Sequence, residues 1–593
     1  MRLHHHRSVL SIVSVAAIVA GVLTGVTSSS ANWNDDEFVA GELGTVNCVP
    51  EETGLQSRAT GRFLNGNILG VPLDPLVGVS GATVTNNGST VAYAPASSVA
   101  SGPDAWAAPI PAAVLASAVT ATVGATLPLN WGLGVYNQYG QAHSSGISTG
   151  AAGTVSNAGA VDLAAVAGGS AAKVGTLRLS DLTGLGSTLA GLADVNLDIG
   201  AVAAVATLDG CEDTWMAGAP GTALSRSYLL TELKARLTSN AVRALMGPGG
   251  TVPTTVGLVN TQLNTLIGSS STTGTAEASL ATTLLNGLTG TLTTVLASLS
   301  GPLLELTIVP PGTTPVTATV DVDLAPVTAL LTGSLSDGAV TVDLGSGLIS
   351  FDIGALSGGL ENRDPNTRLL TAATLNDVVD RVDALLIARL AQIDTALTTV
   401  LSAAHIVLKV DLQVQLTLLP GVLAPIPILN VHLGFDGTLA QYIATPNAVV
   451  SGPTVSILPG SGFVGTLLNS LLDGVTAGLL NPVLTVLVPS IVTAVTTQLL
   501  TPISGTIATV LASTTALRTA AINALDGVLQ VLALIVDVTI NSRPDVLPNP
   551  APPRPALEGE YFVSALRIGV LNAPGGTSLL SLYLANASVG RNG

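Results

Sequence analysis

Two hydrophobic periods take turns along this chain. Ala82 to Tyr93 (ATVTNNGSTVAY) sets Asn87-Gly88 between alternating segments. That dipeptide tolerates the positive φ of a tight turn, so a β-hairpin is predicted there. Leu177 to Leu208 follows with short apolar runs broken by Gly and Asp, which read as further strands of a sandwich. After Pro315, Val316, Ala318, Val320, Val322 and Leu324 alternate with Thr317, Thr319, Asp321 and Asp323. Such a segment carries its apolar set on one face of a strand and its polar set on the other. The same period returns at Val340, Val342 and Leu344, at Ile349, Phe351 and Ile353, and from Val410 to Leu418. One half-buried antiparallel sheet is expected to hold all four runs.

Helical spacing fills the intervals. Leu280, Leu284, Leu288, Leu292, Val295 and Leu299 share a face, as do Leu375, Val379, Val382, Leu386, Leu390, Ile393 and Leu397. Val464 to Leu479 and Ile503 to Leu532 repeat the spacing. Gly474 to Leu517 has no charged residue, yet Pro482, Pro489 and Pro502 and the recurring Thr, Ser, Asn and Gln interrupt it. A buried helical layer is therefore expected there instead of a membrane span. Asp545 to Ala556 (DVLPNPAPPRPA) reads as an extended connector. It leads to two apolar runs between Glu560 and Gly590, a hairpin expected to complete a sheet begun earlier.

These elements predict a β-rich α+β protein: antiparallel, sandwich-like sheets with a layer of Leu-rich amphipathic helices. The segments run as an N-terminal sandwich-like domain at 32–220, a mainly helical segment at 221–308 and a β-sheet domain with an inserted helix at 309–440. An apolar helical segment at 441–543, the Pro-rich linker at 544–558 and the hairpin at 559–593 complete the order. The length prior of about four domains falls to two or three when large sandwiches merge.

The N-terminus adds a destination. Arg2 and Arg7 flank a short basic start, Val9 to Leu23 is almost unbroken apolar sequence, and Ser29-Ser30-Ala31 offers small residues for cleavage. Residues 1–31 thus read as a signal peptide, with the mature chain starting at Asn32 and working outside the cytoplasmic membrane. In an exported chain the two cysteines, Cys48 and Cys211, are expected to form one disulfide, with two buried thiols as the alternative.

Composition narrows the partners. Charged residues are 10% of the chain and aromatics 3%, so the cores must be Val, Leu, Ile and Ala and the solvated faces Thr, Ser, Asn and Gly. Twenty basic against 37 acidic residues give −17, the wrong sign for a phosphate backbone, so nucleic acid is excluded as a partner. Envelope components or other surface proteins are expected instead, with no membrane insertion after signal cleavage.

Reactive candidates are few. Gly146-Ile147-Ser148-Thr149-Gly150 matches the G-x-S-x-G elbow and His143 lies nearby, but no buried strand precedes it, and 64 glycines make a chance match expected. His143, His405 and His432 are the histidines of the mature chain, and none has a second ligand at metal spacing. Asp321, Asp323, Asp343 and Asp352 could meet on one sheet face and hold calcium, although a solvated strand face is the simpler reading. The acidic trio Asp35, Asp36 and Glu37 reads as solvent-facing beside Trp33. No catalytic residue, metal ligand or cofactor is assigned.

ANWNDDEFVAGELGTVNC from Ala31 to Cys48, TGRFLNGNILGVPLDPLVGVSGATVTNNGST from Thr60 to Thr90, AVAAVATLDGCEDTW from Ala201 to Trp215 and the closing SLLSLYLANASVG carry a resemblance. The chain resembles the actinobacterial choice-of-anchor G family. That resemblance implies an exported, cell-surface-associated protein whose relatives end in one of several sorting signals. The C-terminal Arg591-Asn592-Gly593 shows no LPxTG sequence or closing hydrophobic span, so release or non-covalent retention is expected. The expected role is structural or adhesive and non-catalytic. A self-assembling surface layer, a secreted hydrolase and a membrane-perturbing protein are the rivals.

Overall fold

The computed structural model describes residues 54–68, 71–73, 81–111, 129–131, 135–162, 173–179, 192–210, 221–254, 256–257, 304–309, 316–418, 424–445, 449–457, 501–570 and 580–590, with six single positions besides. All belong to one unit, Pro50–Gly593. The described chain is a mixed α+β fold in which several antiparallel sheets do not close into a barrel.

The first sheet has eight strands and joins the two ends of the sequence. Its path runs Thr367–Arg368, Val536–Ser542, Glu560–Val570, Leu580–Gly590, Gln56–Ile68, Ala82–Asn87 and Val91–Ala94, with Val71–Pro72 beside Gln56–Ile68. The C-terminal hairpin therefore sits in the middle of the sheet. Leu580–Gly590 pairs with Glu560–Val570 on one side and with Gln56–Ile68 on the other. The Asn87-Gly88 hairpin forms as its sequence predicts: Ala82–Asn87 pairs with Val91–Ala94, and Asn87 Oδ1 accepts from the Ser89 and Thr90 amides.

The second sheet has seven strands, ordered Leu224–Leu230, Val202–Asp209, Ile147–Gly153, Val135–Ala142, Ala105–Ala107 and Val99–Gly102, with Ile110–Pro111 beside Val135–Ala142. It stacks on the first sheet: Gln56–Ile68 crosses Val135–Ala142 and Ile147–Gly153, while Leu580–Gly590 crosses Ile147–Gly153 and Val202–Asp209. The contact is close because its residues are small. Ala59, Ala82, Ala152, Ala204 and Ala206 are fully buried, and a Cβ on Gly150 would lie 2.6 Å from both Ser588 O and Thr60 O. Phe63 and Tyr136 supply the bulk, stacked at 4.0 Å, and the Tyr136 hydroxyl donates to Lys173 O.

The alternating runs after Pro315 divide between two further sheets, so the single sheet expected for them is corrected. Val340–Asp343 and Leu348–Asp352 belong to the third sheet, beside Ser334–Ser336 and Leu233–Ser239, followed by Leu192–Ile199, Gly175–Arg178 and Leu129–Trp131. Val316–Asp321 and His405–Leu418 belong to the fourth, with Leu304–Val309, Ile426–Thr438 and Val450–Ile457. Alternation fixes which face of a strand is buried and says nothing of its neighbour. Ile353 starts a short helix, Ile353–Leu356, because the Asp352 carboxylate caps it by accepting from Ala355 N. Leu224–Leu230 and Leu233–Ser239, at the head of the segment expected to be mainly helical, are strands.

The helix predicted through Leu375 and Leu397 is Ala372–Ser402, started by Thr371 Oγ1 accepting from Thr374 N. It lies against Thr501–Ile535, with Arg518 paired to Asp383 and Gln530 to Asn376. Ala372–Ser402 and the Thr514–Ile535 stretch are long and apolar enough to cross a membrane by length and composition alone, and both put side chains into the common core. The apolar positions expected to form helices from Leu280 to Leu299 and from Val464 to Leu479 lie outside the described residues.

The connector Asp545 to Ala556 is docked on the rest of the fold. Asn366 Nδ2 donates to Arg543 O, Val546 O and Pro548 O, and Arg226 pairs with Asp545. Tyr583 OH donates to Ala551 O, and Arg554 makes a two-pronged pair with the buried Glu560 carboxylate. The prolines of the arm have no amide hydrogen to donate, so side chains elsewhere in the fold, Asn366 and Tyr583, reach out to its carbonyls.

Candidate functional site

The outward face of the fourth sheet is where the predicted polar positions gather. His405–Leu418 and Ile426–Thr438 are 14 and 13 residues long and pair along nearly their whole length. At 3.4 Å per residue the longer strands reach about 44 Å. The register sets Asp411 opposite His432 and Gln413 opposite Asn430, so these side chains share a face. His432 Nδ1 meets Asp411 Oδ1 at 2.6 Å, His405 Nε2 meets Asp436 Oδ1 at 2.8 Å, and Gln413 Nε2 donates to Asn430 Oδ1 at 3.1 Å. Gln415 Nε2 continues the chain by donating to Gln413 Oε1.

Strand alternation explains how both surfaces arise from one sequence. Ile406, Leu408, Val414, Leu416, Leu433 and Phe435 are buried on the other side, while the His405, Asp436, His432 and Asp411 side chains keep 49%, 60%, 50% and 47% of their surface in solvent. Ion pairs that exposed contribute little to stability. They orient the groups instead, leaving a ladder of donors and acceptors aimed at solvent. Val316–Asp321 extends the face at one side, with Asp321 opposite His405, and Leu304–Val309 extends it with Glu305 opposite Thr417. The polar set Asp411, Gln413 and Gln415 was legible as a half-exposed strand face, while Thr417 at its end is buried. The His–Asp partnerships were not legible, because sequence spacing does not show which strand lies alongside.

The G-x-S-x-G motif forms no elbow. Ser148 lies within the strand Ile147–Gly153, opposite Ala142 and Leu208, and is fully buried. A nucleophile elbow instead needs a strained turn from strand to helix that exposes its serine. Period two puts Ser148 and Gly150 on the same face, the one pressed against the first sheet. The Ser148 hydroxyl has no hydrogen-bond partner among the described residues. His143 Nδ1 lies 3.2 Å from Asp104 Oδ2, and the His143 carbonyl accepts from Ser57 and Gly146 N in the turn before this strand.

The four aspartates do not converge. Asp323 accepts from Ala325 N, Asp343 Oδ1 from the amide and hydroxyl of Ser346, and Asp352 caps its short helix. Asp343 and Asp352 belong to the third sheet and Asp321 to the fourth. Among the described residues no group of three His, Cys, Asp or Glu is placed to hold a metal ion. Cys48, Cys211, the trio Asp35, Asp36 and Glu37, and the signal segment 1–31 lie outside the described residues.

No curated protein and no solved structure matches this chain. The model of one family does, that of the domain of unknown function DUF8394, over residues 59–590. The match opens inside the first described long strand and closes with the last one, so the unit held together by the joined ends of the sequence is the unit the family shares, and the chain belongs to that family.

Proposed function

We propose that this protein is exported and acts at the cell envelope as a structural or adhesive component, through its surface and not through catalysis. The observation that carries the reading is the outward face of the fourth sheet: a half-exposed ladder of His, Asp, Gln and Asn running from His405 to Gln415, about 34 Å long. A face of this kind makes many weak polar contacts with an extended partner, and such contacts add along its length. The basic, apolar and small-residue sequence of residues 1–31 supports export, and the choice-of-anchor G resemblance supports the cell surface as destination.

Fractionating cells into wall, membrane and medium tests the destination, with the chain expected in the wall fraction and the medium. Co-sedimentation of the purified mature chain with isolated cell walls tests the face. A triple variant, Gln413→Ala, Asn430→Ala and His432→Ala, alters only outward positions and is expected to stay folded while losing most wall binding. Unchanged binding by that variant defeats the adhesive reading of this face, and a chain confined to the cytosol defeats the reading altogether.

A further inference from the structure

We propose that the cleft between the edge of the first sheet and the proline-rich arm is a binding site for an anionic group, a carboxylate or phosphate, carried on an apolar body. The site is independent of the fourth-sheet face. It occupies about 470 Å³, with Arg368, Asp537, Thr539 and Arg567 on the sheet side, Pro548 to Ala551 on the arm side, and Leu534 and Ile535 at the end of the helix Thr501–Ile535.

Register builds the positive centre. Arg368 is opposite Thr539, Thr539 is opposite Arg567, and Arg567 is opposite Tyr583, so one row crosses four neighbouring strands on a single face. Asp537 stands two residues before Thr539 and shares that face. Its carboxylate serves both arginines: Oδ1 accepts from Arg368 Nε at 3.0 Å and from Thr539 Oγ1 at 3.1 Å, and Oδ2 accepts from Arg567 Nη1 at 2.5 Å. Two guanidinium charges against one carboxylate leave a surplus of one positive charge, in a chain whose total is −17.

That surplus is fixed in place. Arg567 is 8% exposed, and its Nε donates to Tyr583 OH, which donates onward to Ala551 O of the arm. Burial works against the Arg567 charge, but Tyr583 and Asp537 outweigh it and hold the guanidinium above its ordinary pKa. Arg368 is the adaptable partner. Its side chain is 55% exposed and reaches Asp537 through Nε, so the rest of its planar fork remains for a carboxylate or phosphate oxygen pair. Beside it Leu534 is 86% exposed, an apolar wall for whatever carries the anion. One arginine would suffice to neutralise Asp537, and the arm itself is held through Tyr583 OH donating to Ala551 O. The second, on a short edge strand, makes the cleft a receptor for a further anion.

Calorimetry of the purified chain with inorganic phosphate and with hexyl phosphate tests the site. Both probes are expected to bind with one-to-one stoichiometry, hexyl phosphate the more tightly, and both more weakly as salt rises. Arg368→Gln leaves Asp537 neutralised by Arg567, so the fold survives, and affinity for both probes is expected to fall about tenfold or more. Leu534→Ser is expected to weaken hexyl phosphate alone, which separates the apolar wall from the charge. Arg381→Gln, remote from the cleft, is expected to change nothing. The proposal is overturned if Arg368→Gln binds both probes like the parent chain, if Arg381→Gln loses as much, or if neither probe binds below roughly 10 mM, an affinity too weak for a built site.

Discussion

At the scale of single residues, the closeness of the first two sheets rests on what is missing from a few side chains. A Cβ on Gly61 would run into the carbonyl oxygens of Ala151 and Tyr139, both backbone atoms held in paired strands. Neither can step aside without moving its strand. Gly61→Ala is therefore expected to destabilise the protein by about 3 kcal/mol, the upper end for overpacking, read as a lower urea midpoint with an unchanged slope. Ionisable residues add a pH dependence whose sign can be worked out. The Ser346 hydroxyl and amide hold the Asp343 carboxyl below its ordinary pKa, and hydrogen bonds from Lys173 and Lys234 do the same for Glu232. A carboxyl with a folded pKa below its unfolded value stabilises above the unfolded value, and that stability is lost as pH falls through the folded one. Denaturant midpoints are expected to hold near neutrality and to drop below about pH 4.5. Ser346→Ala, which removes one donor to Asp343, is expected to make that acid loss shallower.

Whole elements were legible wherever one face meets solvent. Val340–Asp343 and the helix Ala372–Ser402 announce themselves by period, because burial on one side imposes two-residue or 3.6-residue spacing. Leu233, Ala235 and Leu237 are buried between the exposed or half-exposed Lys234, Arg236 and Thr238, the same signal, lost beside the Leu-rich stretch that follows. Outside the two predicted hairpins, partnership between strands was not legible. Arg368, Asp537 and Arg567 are far apart in sequence, and only the register of the first sheet gathers them. The proline-rich arm shows the same limit: its composition speaks of extension, but its docking depends on Asn366, Arg226, Glu560 and Tyr583 elsewhere. Because the Glu560 side chain is 1% exposed, Arg554→Ala would leave a buried carboxylate without its partner. A loss of about 3–5 kcal/mol in urea unfolding is expected, together with faster proteolysis within 545–556. Replacing both partners, Arg554→Met with Glu560→Leu, is expected to recover only part of the loss, since it removes the unpaired carboxylate but also the charge that supports the half-buried Arg58 guanidinium.

For the molecule as a whole, the decisive contact joins strands from opposite ends of the chain. Gln56–Ile68 pairs with Leu580–Gly590 from Arg58 opposite Gly590 to Ile68 opposite Leu580, so closing the first sheet means bringing together residues more than five hundred positions apart. Loop closure over that length costs entropy that local contacts cannot return, which places this pairing late in folding and makes folding slow. The two last strands are nearly all buried, Val563, Leu566, Ile568, Leu582, Leu584 and Ala587 completely so, and they lie between Val536–Ser542 and Gln56–Ile68. Removing residues 560–593 would therefore split the first sheet into two pieces, uncover the small-residue face of the second sheet, and leave two inner strand edges unpaired. The truncated chain is expected to aggregate or to unfold without a cooperative transition, and the full chain to unfold cooperatively, both read by circular dichroism. Adding the 560–593 peptide in trans offers a sharper reading. If the end strands complete a sheet already laid out by the rest, the peptide restores a cooperative transition to the truncated chain. If the truncated chain unfolds cooperatively without it, the joined ends are not what holds the sandwich together.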